Sequence, residues 1–407
     1  MMLFRGAHLV LPDRIVGPAT FAVDGDTVVE ISTELAPPAG ARETHDLDGR
    51  FVLPGFVDVH VHGVEGHDTQ DASVPIEAIA RRLPAYGVTA FCPTTVACPP
   101  GELDAVLGAI ERLRAAPPDA AARVLPAHLE SNFIAPDYRG AQPLPCLRLP
   151  PSADEAEGRA DGLATQRGDF TGADILATIA ARRPQVGIVT LAPELDGAEA
   201  LIADLVAHGH RVSLGHSGAS YEAAVTGIRA GARHATHLFN RMPPLHHREP
   251  GLAGAVLHHA ELAAEIVCDG YHVHPAMVAS AVAAKTPARA MAITDGTGGS
   301  GLPVGSHARL GGRRITVRET AAFLDDGTLA GSVLTMDRAL RFLVGRVGLS
   351  LVDAVRMCAT TPASELGLSR QGRLAEGALA DFVVVDADLR VEQTWVGGRR
   401  VYSATRP

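Results

Sequence analysis

Two histidines separated by one residue stand in the first strongly apolar segment of this 407-residue chain. His60 and His62 alternate with Val59 and Val61, so on a β-strand both imidazoles lie on one face. At a rise of about 3.3 Å per residue, two such imidazoles can converge on one cation. A polar strand face would show the same pattern. His-x-His therefore suggests a metal site only if other ligand types join it.

Further ligand-type side chains stand where four later apolar runs end. They are Glu130, His216, His237 and Asp295. In a parallel (β/α) barrel the carboxyl ends of all strands open on one rim, so these residues would converge there. With the first histidine pair they offer four imidazoles and two carboxylates, enough for one or two divalent cations with a position open to water. Each residue alone could be a core histidine, a solvated carboxylate or a turn cap.

The elements that must position these residues alternate between strand and helix patterns. Apolar residues recur at helical spacing over 103–113 and 201–206, and strand-like runs separate such segments. This alternation predicts a parallel sheet. The alternation of strands and helices extends over about 320 residues, and no G-x-G-x-x-G follows a strand. Both features favour a closed (β/α) barrel of the α/β class over an open sheet.

Short β patterns crowd both ends of the chain. Residues 20–32 predict one hairpin, and residues 381–386 with 394–402 predict further paired strands. Neither end could bury a core alone, so we expect the two ends to form one small β domain with the barrel inserted between them. The expected limits are 1–52 and 372–407 for the β domain and 53–371 for the barrel.

Composition argues against several classes of function. Apolar residues make up 46% and charged residues 20%, as in folded domains. A net charge of −10 without a basic block argues against nucleic acid as a partner. The longest uncharged stretch, 83–101, contains four prolines, which a membrane helix would not tolerate, and the amino terminus lacks a secretory signal pattern. We therefore expect a cytoplasmic protein that binds neither membrane nor nucleic acid.

Several segments resemble, in order and in residues, the N-acetylglucosamine-6-phosphate deacetylase family of the amidohydrolase superfamily. They cover most of the chain: PGFVDVHVHG at 54–63, TLAPE at 190–194, SLGHSGASY at 213–221, HATHLFNRMPPLHHREPGLAGAVL at 234–257, DGYH at 269–272, ITDG at 293–296 and GTLAGSVLTM at 327–336. The segment at 234–257 is specific to the family. The resemblance implies a distorted (β/α)8 TIM-type barrel with a small β-sandwich formed by both termini.

The same resemblance implies a metal-dependent amide hydrolysis. Its metal ligands would be Glu130, His216 and His237. The ion would be a divalent metal, most often zinc, with iron, manganese or cobalt as alternatives, and the retained His60 and His62 would allow a second ion. Such a cation lowers the pKa of bound water toward about 7 and stabilises the developing oxyanion. Asp295 would then be the acid/base that carries a proton to the leaving nitrogen.

The substrate implied by the resemblance is an N-acetyl-hexosamine 6-phosphate, most simply N-acetylglucosamine 6-phosphate. The residues expected to bind it are Gln142, Asn240, Arg241, Arg248, His272 and Leu329. Arg248 offers a planar fork for phosphate oxygens. By resemblance it reaches into the neighbouring subunit's site, which implies a homodimer. Without the motif it would be interpreted as a surface arginine.

Two departures from the family pattern leave the substrate open. Ser131 and Asn132 stand where the family usually has glycine and proline, and Gln142 replaces the histidine of a GAH motif. Glutamine donates through its amide but carries no charge, so it would polarise an acyl carbonyl more weakly than histidine. The alternatives are a deacetylase of N-acetylgalactosamine 6-phosphate or another N-acylated amine, and a non-catalytic barrel that binds a sugar phosphate.

Overall fold

The computed structural model describes residues 1–33, 43–71, 75–151 and 169–404. Its strands are β1 (Met2–Val10), β2 (Ile15–Asp24), β3 (Thr27–Ser32), β4 (Glu43–Asp46), β5 (Phe51–Pro54), β6 (Phe56–Val61), β7 (Gly63–Val64), β8 (His67–Asp68), β9 (Val88–Thr95), β10 (Arg123–Val124), β11 (Ala127–Glu130), β12 (Val186–Leu191), β13 (Arg211–Leu214), β14 (His234–Ala235), β15 (Ala263–Val267), β16 (Ala290–Ile293), β17 (His307–Leu310), β18 (Arg313–Val317), β19 (Ala322–Leu324), β20 (Phe382–Val385), β21 (Val391–Val396) and β22 (Arg399–Ser403).

Helices follow most of the strands in the middle of the chain. They are α1 (Pro75–Arg82), α2 (Pro100–Ala115), α3 (Gly172–Ala181), α4 (Ala198–Ala207), α5 (Tyr221–Ala230), α6 (Gly251–His258), α7 (Pro275–Lys285), α8 (Met336–Phe342), α9 (Leu351–Val355) and α10 (Thr361–Glu365). Within the described ranges, no helix is both long and apolar enough to cross a membrane.

Eight parallel strands form a barrel. Neighbours pair in the order β6, β9, β11, β12, β13, β14, β15 and β16. The barrel closes where Val61 at the end of β6 bridges Gly296 beyond β16, and the N–H of Asp295 donates to the carbonyl of His60 at 2.9 Å. The predicted distorted (β/α)8 barrel is therefore confirmed.

The barrel elements form where local sequence and burial agree. Every residue of β9 is buried, as expected for a parallel strand covered on both faces. Helix α2 begins with Pro100, a residue suited to a first helical turn because its missing N–H would have no partner there. It buries Leu103, Leu107 and Ile110 against the barrel, in agreement with the helix predicted over 103–113.

Both ends of the chain build a second sheet. Its strand order is β22-β21-β20-β5-β1-β2-β3, with β4 beside β1. The ring centroids of Phe4 and Phe21 lie 4.7 Å apart, those of Phe4 and Trp395 lie 5.0 Å apart, and those of Phe382 and Trp395 lie 5.5 Å apart. Rings from both ends of the chain therefore share one core. We propose the limits at residues 53 and 372 as domain boundaries; strand β5 of this sheet runs across the first of them and pairs through Leu53 and Pro54 with β20.

A third, smaller sheet was not predicted from the sequence. Strands β17, β18 and β19 form an antiparallel meander between the last barrel strand and α8. Its buried residues Leu310 and Ile315 pack together with Val96 from the end of β9. The meander therefore adds a wall beside the carboxyl-terminal mouth of the barrel.

Candidate active site

Six side chains from five barrel strands meet at the carboxyl-terminal mouth. They are His60 and His62 at the end of β6, Glu130 on β11, His216 after β13, His237 after β14 and Asp295 after β16. Their ligand atoms form two groups, and within each group these atoms lie within 4.8 Å of one another. All six side chains are buried. The structure thus brings together every residue that the sequence suggested as a metal ligand or acid/base.

The first group centres on Glu130. Its Oε1 lies 2.9 Å from His216 Nε2 and 2.9 Å from His237 Nε2, and these two nitrogens are 3.0 Å apart. His216 Nδ1 faces the carbonyl oxygen of Tyr138 at 2.8 Å, so this nitrogen carries the hydrogen and donates it. Nε2 of His216 faces Glu130, so it donates to that carboxylate when the ring is protonated and offers a lone pair to a metal ion when the ring is neutral.

The second group lies on the other side of the same glutamate. His60 Nε2 and His62 Nε2 are 3.3 Å apart, and Asp295 Oδ1 lies 3.5 Å from the former and 3.3 Å from the latter. Glu130 Oε2 lies 3.5 Å from His62 Nε2. Glu130 Oε1 also lies 3.6 Å from His60 Nε2. Because the carboxylate of Glu130 lies between both groups, it could bridge two cations.

An unusual backbone aims several of these side chains into the mouth. Nine non-glycine residues of the described ranges have positive φ, and five of them line the same cavity. These five are His216 (φ 48°), His237 (29°), Phe239 (77°), Arg241 (53°) and Asp295 (47°). Left-handed backbone is costly for residues with a Cβ and concentrates at functional sites. The strain therefore marks this mouth independently of residue type.

The electrostatics of the mouth demand positive charge. Burial alone would raise the pKa of Glu130, but the charge of His216 and hydrogen bonds from His216 and His237 hold it well below its usual range. Burial would likewise lower the pKa of His237, but its hydrogen bond to Glu130 and the charge of that carboxylate raise it. Burial lowers the pKa of His60 to about 4 against the pull of Asp295 and Glu130. His60 is therefore neutral near pH 7, the form that binds a metal ion.

A cavity of about 360 Å³ opens above these groups. Ligand pockets in proteins commonly have volumes of about 300–1,000 Å³. Five of the six residues expected to bind substrate line it: Gln142, Asn240, Arg241, His272 and Leu329. Arg248 does not. Its side chain is exposed and its Nη1 lies 2.9 Å from His247 Nε2.

The departures from the family pattern have specific structural roles. Gln142 donates its amide N–H to Glu130 Oε2, while its Oε1 accepts from the backbone N–H of Ala97 at 2.7 Å. Ser131 donates to the carbonyl of Thr190 at 2.6 Å, and Asn132 donates to the carbonyls of Cys98 and Cys146 at 2.9 and 2.7 Å. Ser131 and Asn132 thus fix the loop, whereas Gln142 contacts a candidate metal ligand directly.

Glu265 on β15 was missed by sequence reasoning. It is fully buried, and its Oε2 accepts from His60 Nδ1 at 2.9 Å. Burial raises its pKa to about 7. The available signal was a single acidic residue inside the apolar run 262–268. Such a residue gives no spacing pattern, and its partner His60 lies 205 positions away in the chain.

Comparisons with known proteins agree with this geometry. The model of the amidohydrolase family matches residues 51–401. The chain is 38% identical to N-acetylglucosamine-6-phosphate deacetylase of Mus musculus, with 89% of this chain and 86% of the relative covered. It is 32% identical to the Bacillus subtilis enzyme of that name, with 96% and 94% covered.

Solved structures give the same result. The crystal structure of N-acetylglucosamine-6-phosphate deacetylase from Pasteurella multocida has a TM-score of 0.87 at 25% identity, and it covers 99% of this chain and 100% of that one. A mutant of the Mycobacterium smegmatis deacetylase in complex with N-acetyl-D-glucosamine-6-phosphate has a TM-score of 0.85 at 32% identity, with 99% of each chain covered.

Proposed function

The chain belongs to the amidohydrolase family, and on that premise we propose that it hydrolyses the N-acetyl amide of N-acetylglucosamine 6-phosphate. The products are the amino sugar 6-phosphate and acetate. Water adds its oxygen to the acetyl carbon, the C–N bond breaks, and the nitrogen gains a proton. Relatives that carry the name of this activity match nearly the whole chain, and one of them was solved with the substrate bound.

One observation carries this proposal: hydrogen-bond acceptors converge at the barrel mouth. Nε2 of His216 and Nε2 of His60 are lone pairs in the neutral rings, because their Nδ1 atoms donate to a carbonyl and to a carboxylate. Both nitrogens face Glu130 Oε1, at 2.9 and 3.6 Å. Buried acceptors that face each other repel unless positive charge lies between them, and in the absence of a metal ion the raised pKa of His237 lets a proton on its ring supply part of that charge. A divalent cation supplies that charge, and imidazole with carboxylate is a ligand set of zinc.

Zinc is the ion we propose, in one or two positions. Glu130, His216 and His237 would hold one ion, and His60, His62 and Asp295 would hold the other, with Glu130 between them. When bound, such an ion polarises a water molecule and the amide carbonyl at this site. Iron, manganese and cobalt accept the same imidazole and carboxylate ligands and are the alternatives.

Asp295 is the residue that we propose moves the proton. Its carboxylate lines the cavity, where it can reach both an attacking water and the amide nitrogen of a bound sugar. It accepts a proton from the water as the acetyl carbon is attacked, and delivers it to the nitrogen as the C–N bond breaks. The leaving group then departs as a neutral amine instead of an amide anion.

The phosphate would lie at the outer part of the cavity. Asn240, Arg241 and His272 line the cavity and would contact the phosphate, and Arg241 is the one arginine among the described residues that line the cavity. We propose that Arg248 of a second copy completes the phosphate site in a homodimer. Its exposed guanidinium and the exposure of Leu245 (48%) in the same loop support this.

A different acyl sugar remains the second candidate because of Gln142. Its amide donates to Glu130 and its oxygen is hydrogen-bonded to Ala97, so its orientation is fixed. This side chain lines the cavity and determines part of its shape. The substrate could therefore be N-acetylgalactosamine 6-phosphate or another N-acylated amine.

A panel of acyl sugars tests the proposed function. Acetate release is measured from N-acetylglucosamine 6-phosphate, from its epimer N-acetylgalactosamine 6-phosphate and from unphosphorylated N-acetylglucosamine. We expect the highest kcat/KM for N-acetylglucosamine 6-phosphate. A higher value for the epimer would support the second candidate, whereas zinc-loaded protein that releases acetate from none of them would overturn the proposed substrate and leave another N-acylated amine or a non-catalytic binding barrel.

The cysteines suit a cytoplasmic setting, which we also propose. All five are free, and four of them are buried. Disulfides are rare in reducing compartments, and free thiols persist there.

A further inference from the structure

We infer that Glu265 is a positioning residue that sets the hydrogen position on His60 and thereby the affinity of the second cation position. This role rests on the proposed function, because it requires a metal centre. Glu265 contacts neither the cavity nor the reacting atoms. It lies beneath the centre on β15, at the level where the barrel interior is fully enclosed.

One oxygen of Glu265 connects both halves of the site. Its Oε2 accepts from His60 Nδ1 at 2.9 Å and from the backbone N–H of His237 at 3.3 Å. His60 belongs to one group of candidate ligands and His237 belongs to the other. A single carboxylate therefore orients a ligand in each group.

The contact with His60 decides which of its nitrogens can bind a metal ion. A carboxylate oxygen can only accept, so Nδ1 of His60 carries the hydrogen. The lone pair is then on Nε2, which faces His62 at 3.3 Å. Histidine ligands commonly donate their second nitrogen in this way, and loss of the acceptor typically weakens metal binding about 10- to 100-fold.

A cation between His60, His128 and Glu265 is an alternative use of the same residues, since their ligand atoms also lie within 4.8 Å of one another. His128 Nδ1, however, lies 3.0 Å from the carbonyl of Val59 and must donate to it. His60 Nδ1 likewise donates to Glu265. Both nitrogens that face Glu265 carry hydrogens, so the cluster supports the metal centre and does not bind an ion itself.

The hydroxyls near His128 are compatible with this assignment of hydrogens. Its Nε2 accepts from the hydroxyl of Thr190 at 2.7 Å, and Thr190 in turn accepts from Thr236 at 2.7 Å. Thr236 accepts from Ser213 at 2.6 Å. In this series each hydroxyl donates one hydrogen bond to the next group, from Ser213 through Thr236 and Thr190 to His128. The ring of His128 packs edge-on against His60 at 4.5 Å and limits its rotation.

The charge of Glu265 adds to its hydrogen bond. Its Oε1 has no hydrogen-bond partner among the described residues and lies 3.7 Å from both His128 Nδ1 and His234 Nε2. No lysine or arginine of those residues forms an ion pair with it. A cation at the mouth favours the ionised form of Glu265, whose negative charge beneath the centre then attracts that cation, and the low local dielectric strengthens the attraction.

Two substitutions of Glu265 separate the effect of its hydrogen bond to His60 from the effect of its charge. Glu265→Gln keeps an acceptor for His60 but removes the charge, and Glu265→Leu removes both. Metal-free protein is titrated with Zn²⁺ against a competing chelator, and bound zinc is counted by elemental analysis. We expect the second equivalent to bind about 10-fold more weakly in Glu265→Gln and about 100-fold more weakly in Glu265→Leu. The first equivalent should change less.

Glu365→Gln is the matched control. Glu365 is also a largely buried glutamate, but it accepts from Arg289 on the far side of the barrel from the mouth. Its zinc titration should equal that of the wild type. Thermal unfolding of each metal-free variant shows whether it folds, and a purely structural role of Glu265 would lower that midpoint without altering zinc affinity.

The outcomes distinguish this inference from the proposed function. Wild-type protein that binds two zinc ions, with Glu265→Gln binding both equally well, would overturn the positioning role and leave the deacetylase proposal intact. Wild-type protein that binds no zinc would overturn both.

Discussion

The terminal sheet and the barrel mouth bury different kinds of side chain, with different consequences for stability. In the sheet, buried rings such as Phe4, Phe382 and Trp395 contact one another and stabilise the fold. At the mouth, buried groups such as Glu130 and His237 are charged or polar, and five residues there have strained backbone. Residues of the first kind contribute to stability, and those of the second kind cost stability in exchange for chemistry. The two regions should therefore respond to mutation in opposite ways.

The largest effect is expected for Asp295→Asn at the mouth. The amide cannot accept and return a proton, so kcat should fall by about 100- to 10,000-fold, the usual contribution of a general acid/base. The variant should still fold, because asparagine is close in size to aspartate and its oxygen can still accept from His62. Steady-state acetate release and thermal unfolding check this. Turnover close to that of the wild type would remove Asp295 from proton transfer.

Trp395→Ala in the terminal sheet is the converse change. Trp395 is 3% exposed and stacks on Phe382. Deleting a buried aromatic side chain should lower the free energy of unfolding by about 3–5 kcal/mol. Denaturant unfolding measures this loss. Where the variant is fully folded, its kcat/KM should match that of the wild type, and a specific loss of turnover would show that the two regions are not separable.

Arg248→Ala tests an exposed residue that lies neither in the terminal sheet nor in the cavity of its own chain. If it contacts phosphate in a second copy, loss of a charged hydrogen bond worth about 1.5–3 kcal/mol should raise KM for phosphorylated substrate about 10- to 100-fold. KM for the unphosphorylated sugar should stay the same. Arg399→Ala is a suitable control, since Arg399 is also exposed, at 84%. Equal effects on both substrates would exclude Arg248 from the phosphate site.

The same comparison explains what the sequence could predict. The hairpin near residues 20–32 and helix α2 follow local patterns of apolar residues, and both are present. The meander β17–β19 was missed although Ala308 and Leu310, and then Ile315 and Val317, alternate with polar residues. Its strands are only three to five residues long, so this alternation is too brief to stand out from the surrounding chain.

Site residues were predictable by chemistry but not by geometry. His216 and Asp295 stand out because few residue types bind metals and both follow apolar runs. The sequence does not reveal that the carboxylate of Glu130 lies between the two groups, because this depends on how distant strands meet. Glu265 was missed for the same reason, since its role exists only through contacts with His60 and His237.

Metal removal and return tests the central claim most directly. Protein stripped of metal by a chelator is assayed for acetate release from N-acetylglucosamine 6-phosphate, and Zn²⁺ is then added in stoichiometric steps. If the side chains at the barrel mouth act through a bound cation, stripped protein should release no acetate, and activity should return and saturate at one or two equivalents. Stripped protein that is as active as untreated protein would contradict the metal-dependent mechanism.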